Sequence, residues 1–533
     1  MSTTSLDNVG ASRTPALKAC DTCRLRKIRC ISSASTPPVA ACARCHRLGV
    51  QCTFEMPTGK RGPKRKRNNE HQAPDGGIST SGISNASPVS PHSLINIASG
   101  AFLTDSICSR ELLHVLMHDF LTSIYCLIPV VHRPSFRIDL RDNRDAYDSD
   151  FLGLIVAICA VVVAILRSKF DTYRSFHSGS PWAQSRAEVI SRCYGLLISL
   201  RGPNYFNEIG FQKWAASYLM AIAFFQVGEH NRARMVEVES MQLGRLLNLH
   251  SIEQYKDLDC IETQLRKKGF WLLFYGYIHA QVQNLRKERL TFLDHTTLES
   301  INLGSLLPLD VEDEQIFKHQ ILPSPQSGLG LATGFIIHSR IFWLALQSPY
   351  GTNGSDCLCC RARSPTAQEA HLHGRLKELK YALDEIPTQL RLYATLGQRP
   401  DSVLATSSQL ATLRANIHVT HLWLQSILMD HLDSISSPQE NWPDREVISS
   451  QLIQVLHSIP QDDIEPNGLH LVYKVRDVAV GLLACPFSLP DPSAKRAQGY
   501  VREFTDIMAR LDASETVNTA NLQSWVDTGR SNA

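Results

Sequence analysis

Six of the chain's 15 cysteines crowd into one short stretch, at Cys20, Cys23, Cys30, Cys42, Cys45 and Cys52. Their spacing, C-x2-C-x6-C-x11-C-x2-C-x6-C, is one half-motif written twice with a connector between. Cysteines grouped in this way form disulfides, run redox chemistry or hold metal. A thioredoxin-type redox pair uses a single C-x-x-C and needs neither a third cysteine nor a second copy. RING and LIM patterns need eight ligands, usually with a histidine, and His46 sits directly beside Cys45, too close to chelate the same ion comfortably. Zinc accounts for the spacing: it takes about four soft ligands in a tetrahedron, and cysteines three apart share one face of a helical turn. Six ligands are too many for one ion and two short of eight for two ions. The deficit closes if two thiolates each bridge both ions.

Positive charge surrounds this cage. Arg24, Arg26, Lys27 and Arg29 lie between the second and third cysteines, Lys18 precedes the first, and Arg44 and Arg47 repeat the arrangement in the second half. Six thiolates around two zinc ions leave a charge of about −2, which these cations offset. More positive charge is present than that requires. The surplus fits phosphate binding, in which each Lys or Arg releases a counterion from a nucleic acid. Aromatic side chains that would stack on unpaired bases are absent from the motif apart from Phe54 at its edge, which favours duplex DNA over RNA. A short helix starting near Asp21 would turn Leu25 and Ile28 inward and place Arg24 and Lys27 on one outer face.

The cysteine spacing resembles that of the fungal zinc–six-cysteine binuclear cluster family of transcription factors, over the whole motif. The resemblance implies two Zn2+ ions, with Cys20 and Cys42 as bridges, Cys23 and Cys30 completing one ion, and Cys45 and Cys52 the other. It also implies a helix that meets the major groove end-on, with Lys27 reading a CGG-like triplet and Arg26 assisting. Guanine O6 and N7 are the acceptors that suit a Lys or Arg there. Lys18, Arg24, Arg29, Arg44 and Arg47 are then DNA contacts, chiefly to phosphates, which position the module without specifying sequence. The connector ISSASTPPVAA is longer than the commonest family connector of about six residues; the extra length is expected to loop outward at a cost of tenths of a kcal/mol.

The elements around the motif are read from composition. The 533 residues are enough for two to four ordinary domains, and 43% hydrophobic content supports a sizeable core. Net charge is +3, yet residues 1–70 carry 14 Lys+Arg against 4 Asp+Glu, leaving 40 against 47 in the remainder. A basic head on an acidic body suits a polyanion-binding head. Residues 1–17 read as a flexible start and show no apolar secretory core. Residues 18–54 form the expected cluster domain, and 55–100 a basic, then Ser/Gly/Pro-rich linker. Within that linker Lys60, Arg61, Lys64, Arg65, Lys66 and Arg67 form a run of the kind that serves nuclear import. No heptad repeat follows, so a coiled-coil dimer is not expected; a homodimer would have to form through the second domain.

From about residue 101 to 512 the apolar residues recur every three to four positions, which predicts an all-α domain, followed by a polar tail at 513–533. Loops are expected near 200–206, 305–326, 350–365 and 435–444. FLGLIVAICAVVVAIL at 151–166 is too short to cross a bilayer, which needs about 20 residues, and reads as a buried core helix of an intracellular protein with reduced thiols. Three segments, IPVVHRPSF, SMQLGRLLNLH and LRKKGFWLLFYGYIHAQ, resemble the middle homology region of the same family. In the third, Phe270 and Trp271 stand at the two tryptophan places and Tyr277 at the acidic one. These positions are expected to be core.

Catalytic patterns are missing. GLGLATG has neither a preceding strand nor the G-x-G-x-x-G spacing, and no Walker A, nucleophile elbow or H-E-x-x-H occurs. Cys357, Cys359 and Cys360, with His371 and His373 downstream, read as cysteines tolerated in a loop, because adjacent cysteines chelate poorly. The expectation is a non-enzymatic, nuclear, sequence-specific regulator of RNA polymerase II genes in a fungus. It would bind CGG-type duplex DNA and recruit transcription machinery or co-regulators. A pathway-specific role in a secondary-metabolite gene cluster leads on the resemblance; the GKRGPK linker suggests sugar utilisation as the alternative. A zinc-stabilised protein-interaction module is the reading from a different class.

Overall fold

In a computed structural model of the chain, the residues described are 20–25, 30, 42, 45–46, 50–55, 102–176, 182–282, 292–293, 297–298, 301–323, 329–346, 365–392, 402–436, 438–483 and 491–511. The chain divides into two units, Met1–Ser87 and Pro88–Ala533. The basic run at 60–67, nearly all of the 55–100 segment, the cysteines at 357–360 and the tail at 513–533 lie outside the described residues.

In the first unit α1 (Asp21–Leu25) opens on an acidic residue, which suits the positive end of a helix. The second unit is helical, and among its described residues the only ladder pairing is an isolated bridge, Ile316 with Ile321. Helix α2 (Arg110–Asp119) starts at the Ser109 cap and runs into a π turn, Phe120–Ile124. Pro129 and Pro134 bracket the break before α3 (Arg133–Arg141), whose second residue is the proline, a position where a missing N–H costs nothing.

Helix α4 (Ser149–Ile165) is capped by Asp148, which accepts from the N–H groups of Asp150 and Phe151 at 2.9 and 3.0 Å. Every residue from Phe151 to Ile165 is buried, as its unbroken apolar sequence predicts. No single described helix is long and apolar enough to cross a membrane, and α4 meets the following helical turn at 95°. After α5 (Phe170–Arg174), α6 (Arg186–Ser199) and α7 (Phe211–Gln226) pack on α4, and α8 (His230–Leu246) packs on α7.

Helix α9 (Cys260–Val282) leads to α10 (Leu331–Leu346) and α11 (Pro365–Lys380). The second half is built around the long α12 (Ser402–Asp433), against which α10, α11, α13 (Pro438–Ser458) and α15 (Gly468–Leu483) pack. The short α14 (Gln461–Ile464) precedes α15, and α16 (Asp491–Leu511) lies on α13 and α15. The two halves join where the π turn lies on α12, with Gln409 donating to the Leu121 carbonyl at 2.8 Å, and where α7 meets α15. Gly468 there has φ +60, and a side chain on it would strike Gln226, whose Oε1 accepts the Leu469 N–H at 2.8 Å.

The loop expected at 435–444 is shorter in the structure, because α13 starts at Pro438 and carries Pro443 inside it. Tertiary contacts hold this proline-containing first turn. Trp442 is buried, Asn441 donates to Asp433 at 2.8 Å, and Arg445 bonds Asp430 and Asp433 at 2.7 and 2.6 Å.

The aromatic positions of the third segment are core, as expected: Phe270, Trp271 and Tyr277 are buried. The first segment does more than pack. His132 Nε2 lies 2.7 Å from the Asp313 carbonyl, so it must carry the proton there. Asp313 is itself buried and accepts from Tyr125 Oη at 2.5 Å, Lys268 Nζ at 2.8 Å and the Arg133 N–H at 3.0 Å. Arg133 adds ion pairs to Glu312 and to Glu314. The ammonium of Lys268, with these hydrogen bonds, outweighs burial and holds the Asp313 carboxyl well below the usual range.

Candidate metal centre and nucleic-acid interface

The Sγ atoms of Cys20, Cys23, Cys42 and Cys45 all lie within 4.8 Å of one another, and all four residues are buried. Cys30 is buried in the same cluster, and Cys52 packs against it half-buried. All six cysteines singled out by spacing therefore meet. The helical geometry behind the C-x2-C signal is visible, since Cys23 lies within α1 and Cys45 in a helical turn with His46.

Cys20 and Cys42 are 3.8 Å apart at sulfur, Cys20 and Cys45 3.6 Å, and Cys23 and Cys42 3.8 Å. A disulfide would need about 2.05 Å. A tetrahedral zinc with Zn–S near 2.3 Å sets neighbouring sulfurs about 3.8 Å apart, the spacing observed. Each of these three short pairs contains Cys20 or Cys42. The backbone also serves the sulfurs: the Cys42 N–H donates to Cys52 Sγ and the Cys45 N–H to Cys42 Sγ, both at 3.4 Å.

Without a cation, burial and the neighbouring sulfurs push up the thiols of Cys23, Cys30 and Cys52, and that of Cys45 to about 12. Cys20 moves the other way: hydrogen bonds from the Cys23 backbone and from other thiols outweigh its burial. Packing so many sulfurs together is unfavourable unless divalent cations take up the thiolate charge. The donor set thus fits zinc by type, spacing and charge.

Asp21 closes the module, a role the sequence reading missed by treating it only as a helix start. Its carboxylate accepts from Thr53 Oγ1 at 2.9 Å and the Glu55 N–H at 2.7 Å, and its own N–H donates to the Thr53 carbonyl at 2.8 Å. These bonds fasten the chain after the sixth cysteine to the turn that carries the first two. An acidic residue directly after Cys20 is the only local signal for this. His46 is exposed, consistent with its exclusion as a ligand.

Of the expected DNA contacts, Arg24 belongs to α1, but its side chain lies outside the described residues. Lys18, Arg26, Lys27, Arg29, Arg44 and Arg47, and Ile28 among the inward-facing pair, also lie outside them.

The glycine-rich GLGLATG stretch leads into α10, and the start of that helix is already filled. Glu312 Oε1 accepts the Leu331 N–H at 2.5 Å, so a carboxylate occupies the place a phosphate would take. Gly334 lets α10 approach α12 closely, since a side chain there would come within 2.7 Å of Leu413.

Residues 18–61 match the family model of the fungal Zn(2)-Cys(6) binuclear cluster domain. No curated protein and no solved structure matches the chain. Domains of this kind are DNA-binding domains of transcription factors, not catalytic ones. The chain carries at residues 18–61 a fungal Zn(2)-Cys(6) binuclear cluster domain, a DNA-binding module that holds two Zn2+ ions in its six-cysteine cage.

Proposed function

We propose that the protein is a sequence-specific regulator of RNA polymerase II genes whose two-zinc cluster reads a CGG-type triplet in duplex DNA. The observation that carries this reading is the pattern of sulfur contacts. Each of the three short pairs contains Cys20 or Cys42, as the two shared ligands of a binuclear cage would. Cys23 and Cys30 then complete one ion, and Cys45 and Cys52 the other. A cage of that form fixes α1 and the basic residues after it on a rigid base. Lys27 contacts guanine from there, assisted by Arg26, while Lys18, Arg24, Arg29, Arg44 and Arg47 bind phosphates. The basic run at 60–67 serves nuclear import.

The helical unit acts as the regulatory domain, of the middle homology type on the resemblance of its three segments. A pathway-specific regulon, with a secondary-metabolite gene cluster ahead of sugar utilisation, rests on family resemblance alone.

Fluorescence anisotropy of the full chain on short duplexes tests the DNA reading. Lys27→Ala should cost about 1–3 kcal/mol on CGG duplexes and flatten the preference over scrambled ones. Arg44→Ala should weaken all duplexes alike and reduce the salt slope by about 1. Unchanged CGG preference in the Lys27 variant would remove its role. Binding indifferent to salt and to duplex sequence would instead favour a protein-interaction module.

A further inference from the structure

A cavity of about 400 Å3 opens in the helical unit, walled by α7 and α8 on one side and by α9, α10 and α15 on the other. Its walls are mostly apolar, with Ile128, Ile222, Phe225, Leu272 and Met241 among them. Size and lining are those of a site for a small organic molecule. One part of the wall is different in kind: Lys474, His279, His338 and His470 all face the cavity.

These groups gather around two aromatic rings. The Lys474 ammonium lies 5.5 Å from the Phe342 ring and 5.6 Å from that of Trp423. His279 stacks on Trp423 at 4.7 Å and lies 6.0 Å from His470, and His338 meets Phe342 at 5.0 Å. Lys474 donates to the Thr420 hydroxyl at 2.7 Å, and His338 Nε2 lies 3.1 Å from the same oxygen.

No carboxylate pairs with Lys474 among the described residues. The contrast with the unit's other buried lysines is direct. Lys213 lies 3.6 Å from Asp150 and Lys268 2.8 Å from Asp313. A buried ammonium is ordinarily paired, because leaving it without a counter-charge is costly. Burial accordingly lowers Lys474 to about 7, and lowers His279 and His338 well below the usual histidine range. Beyond this cluster the charged groups lining the cavity are Arg234 and Glu237, of opposite sign, and Arg476, which is paired with Asp477 at 3.0 Å, so Lys474 is the buried lining cation left without a carboxylate partner.

We propose that this cavity binds a small organic carboxylate with an apolar body, the carboxylate pairing with Lys474 between the imidazoles of His279 and His338. The apolar body lies along α7 and α8. The anion supplies the counter-charge that Lys213 and Lys268 receive from the protein itself. The proposal does not depend on the DNA reading, and it gives the helical unit a ligand class.

The test is calorimetric titration of the full chain with decanoate, 4-phenylbutyrate and the neutral analogue 1-decanol. At least one carboxylate should bind, with an affinity at least about tenfold above that of decanol. Lys474→Met should lose at least about tenfold for the carboxylate and little for decanol. Gly276 lines the same cavity, and an added Cβ there meets nothing within 4 Å. Gly276→Leu therefore fills the cavity, keeps Lys474 and should abolish binding while the thermal melt stays cooperative. Any one of three results overturns the proposal: neither carboxylate binding at about 1 mM, decanol binding as well as decanoate, or full carboxylate affinity in either variant.

Discussion

In the cysteine-bearing unit the buried described residues are Cys20, Cys23, Cys30, Cys42, Cys45 and Asp21, which holds Thr53 and Glu55. In the helical unit they are chiefly aliphatic and aromatic side chains, such as Trp214, Trp271, Trp423 and the run from Phe151 to Ile165 in α4. A short segment cannot bury enough apolar surface to offset its conformational entropy, so metal–thiolate bonds take the place of a core. The helical unit has surface enough to bury, and it ties buried charges such as Lys268 and Asp313 into clasps. One unit therefore stands or falls with a cation, and the other with packing.

Zinc removal should break this comparison most sharply. A strong chelator should withdraw about 10–16 kcal/mol of apparent binding free energy from the first unit and abolish DNA binding. The helical melt followed by far-UV circular dichroism should stay in place. If the helical transition moved with zinc loss, the two units would not be separate in stability.

Substitution of single ligands sharpens the same point. Cys20→Ser should disturb both ions and Cys52→Ser only one, read as zinc per chain by atomic absorption. Equal losses from the two variants would remove the bridging assignment.

Smaller effects should separate the helical unit's packing from its clasp. Trp271 is fully buried and donates from Nε1 to the Leu306 carbonyl at 3.0 Å. Trp271→Ala should cost about 3–5 kcal/mol in urea unfolding. Asp313→Asn, which strands Lys268, should cost a similar 3–5 kcal/mol or so. Neither should change zinc content.

Acid distinguishes the units as well. Protons compete with zinc for thiolates, so the first unit should release its metal as pH falls, measurable with a zinc-sensitive dye. Asp313 has a carboxyl lowered in the folded state by Lys268 and its hydrogen bonds. Its contribution is present in full above its unfolded value, about pH 4, and is lost as pH falls below that. The helical unit should begin to lose urea stability below about pH 6.5, where the unfolded chain protonates His279 and His338 that burial keeps neutral, and lose the Asp313 contribution only in stronger acid.

The smallest expected change is at Asp21. Asp21→Asn should weaken the closure onto Thr53 and Glu55 by about 1–3 kcal/mol, read as faster zinc release to chelator. An unchanged release rate would show that the cage needs no such clasp.

Legibility in the sequence differed between the units for physical reasons. Metal ligation uses a rare residue type at fixed short spacings, so six cysteines could be named from the sequence alone. The helices were equally readable where an apolar face repeats, and α4 was plain from its unbroken run. The first turn of α13 was not, because two prolines argue for a loop while the burial of Trp442 and the bonds of Asn441 and Arg445 to Asp430 and Asp433 at the end of α12 hold it helical. His132 and Arg133 look like any polar pair until Asp313, some 180 residues away, is brought against them.

The sequence by itself determined the metal chemistry and the helical class, since both rest on local spacing: ligands within a turn, apolar residues within a helical repeat. Only the tertiary structure decided which buried charges find partners. Lys268 and Lys474 are both lysines within apolar helical segments, and nothing local separates them. Folding brings the Asp313 carboxylate to the first and an apolar-walled cavity to the second, because pairing between separate segments is set by how helices pack.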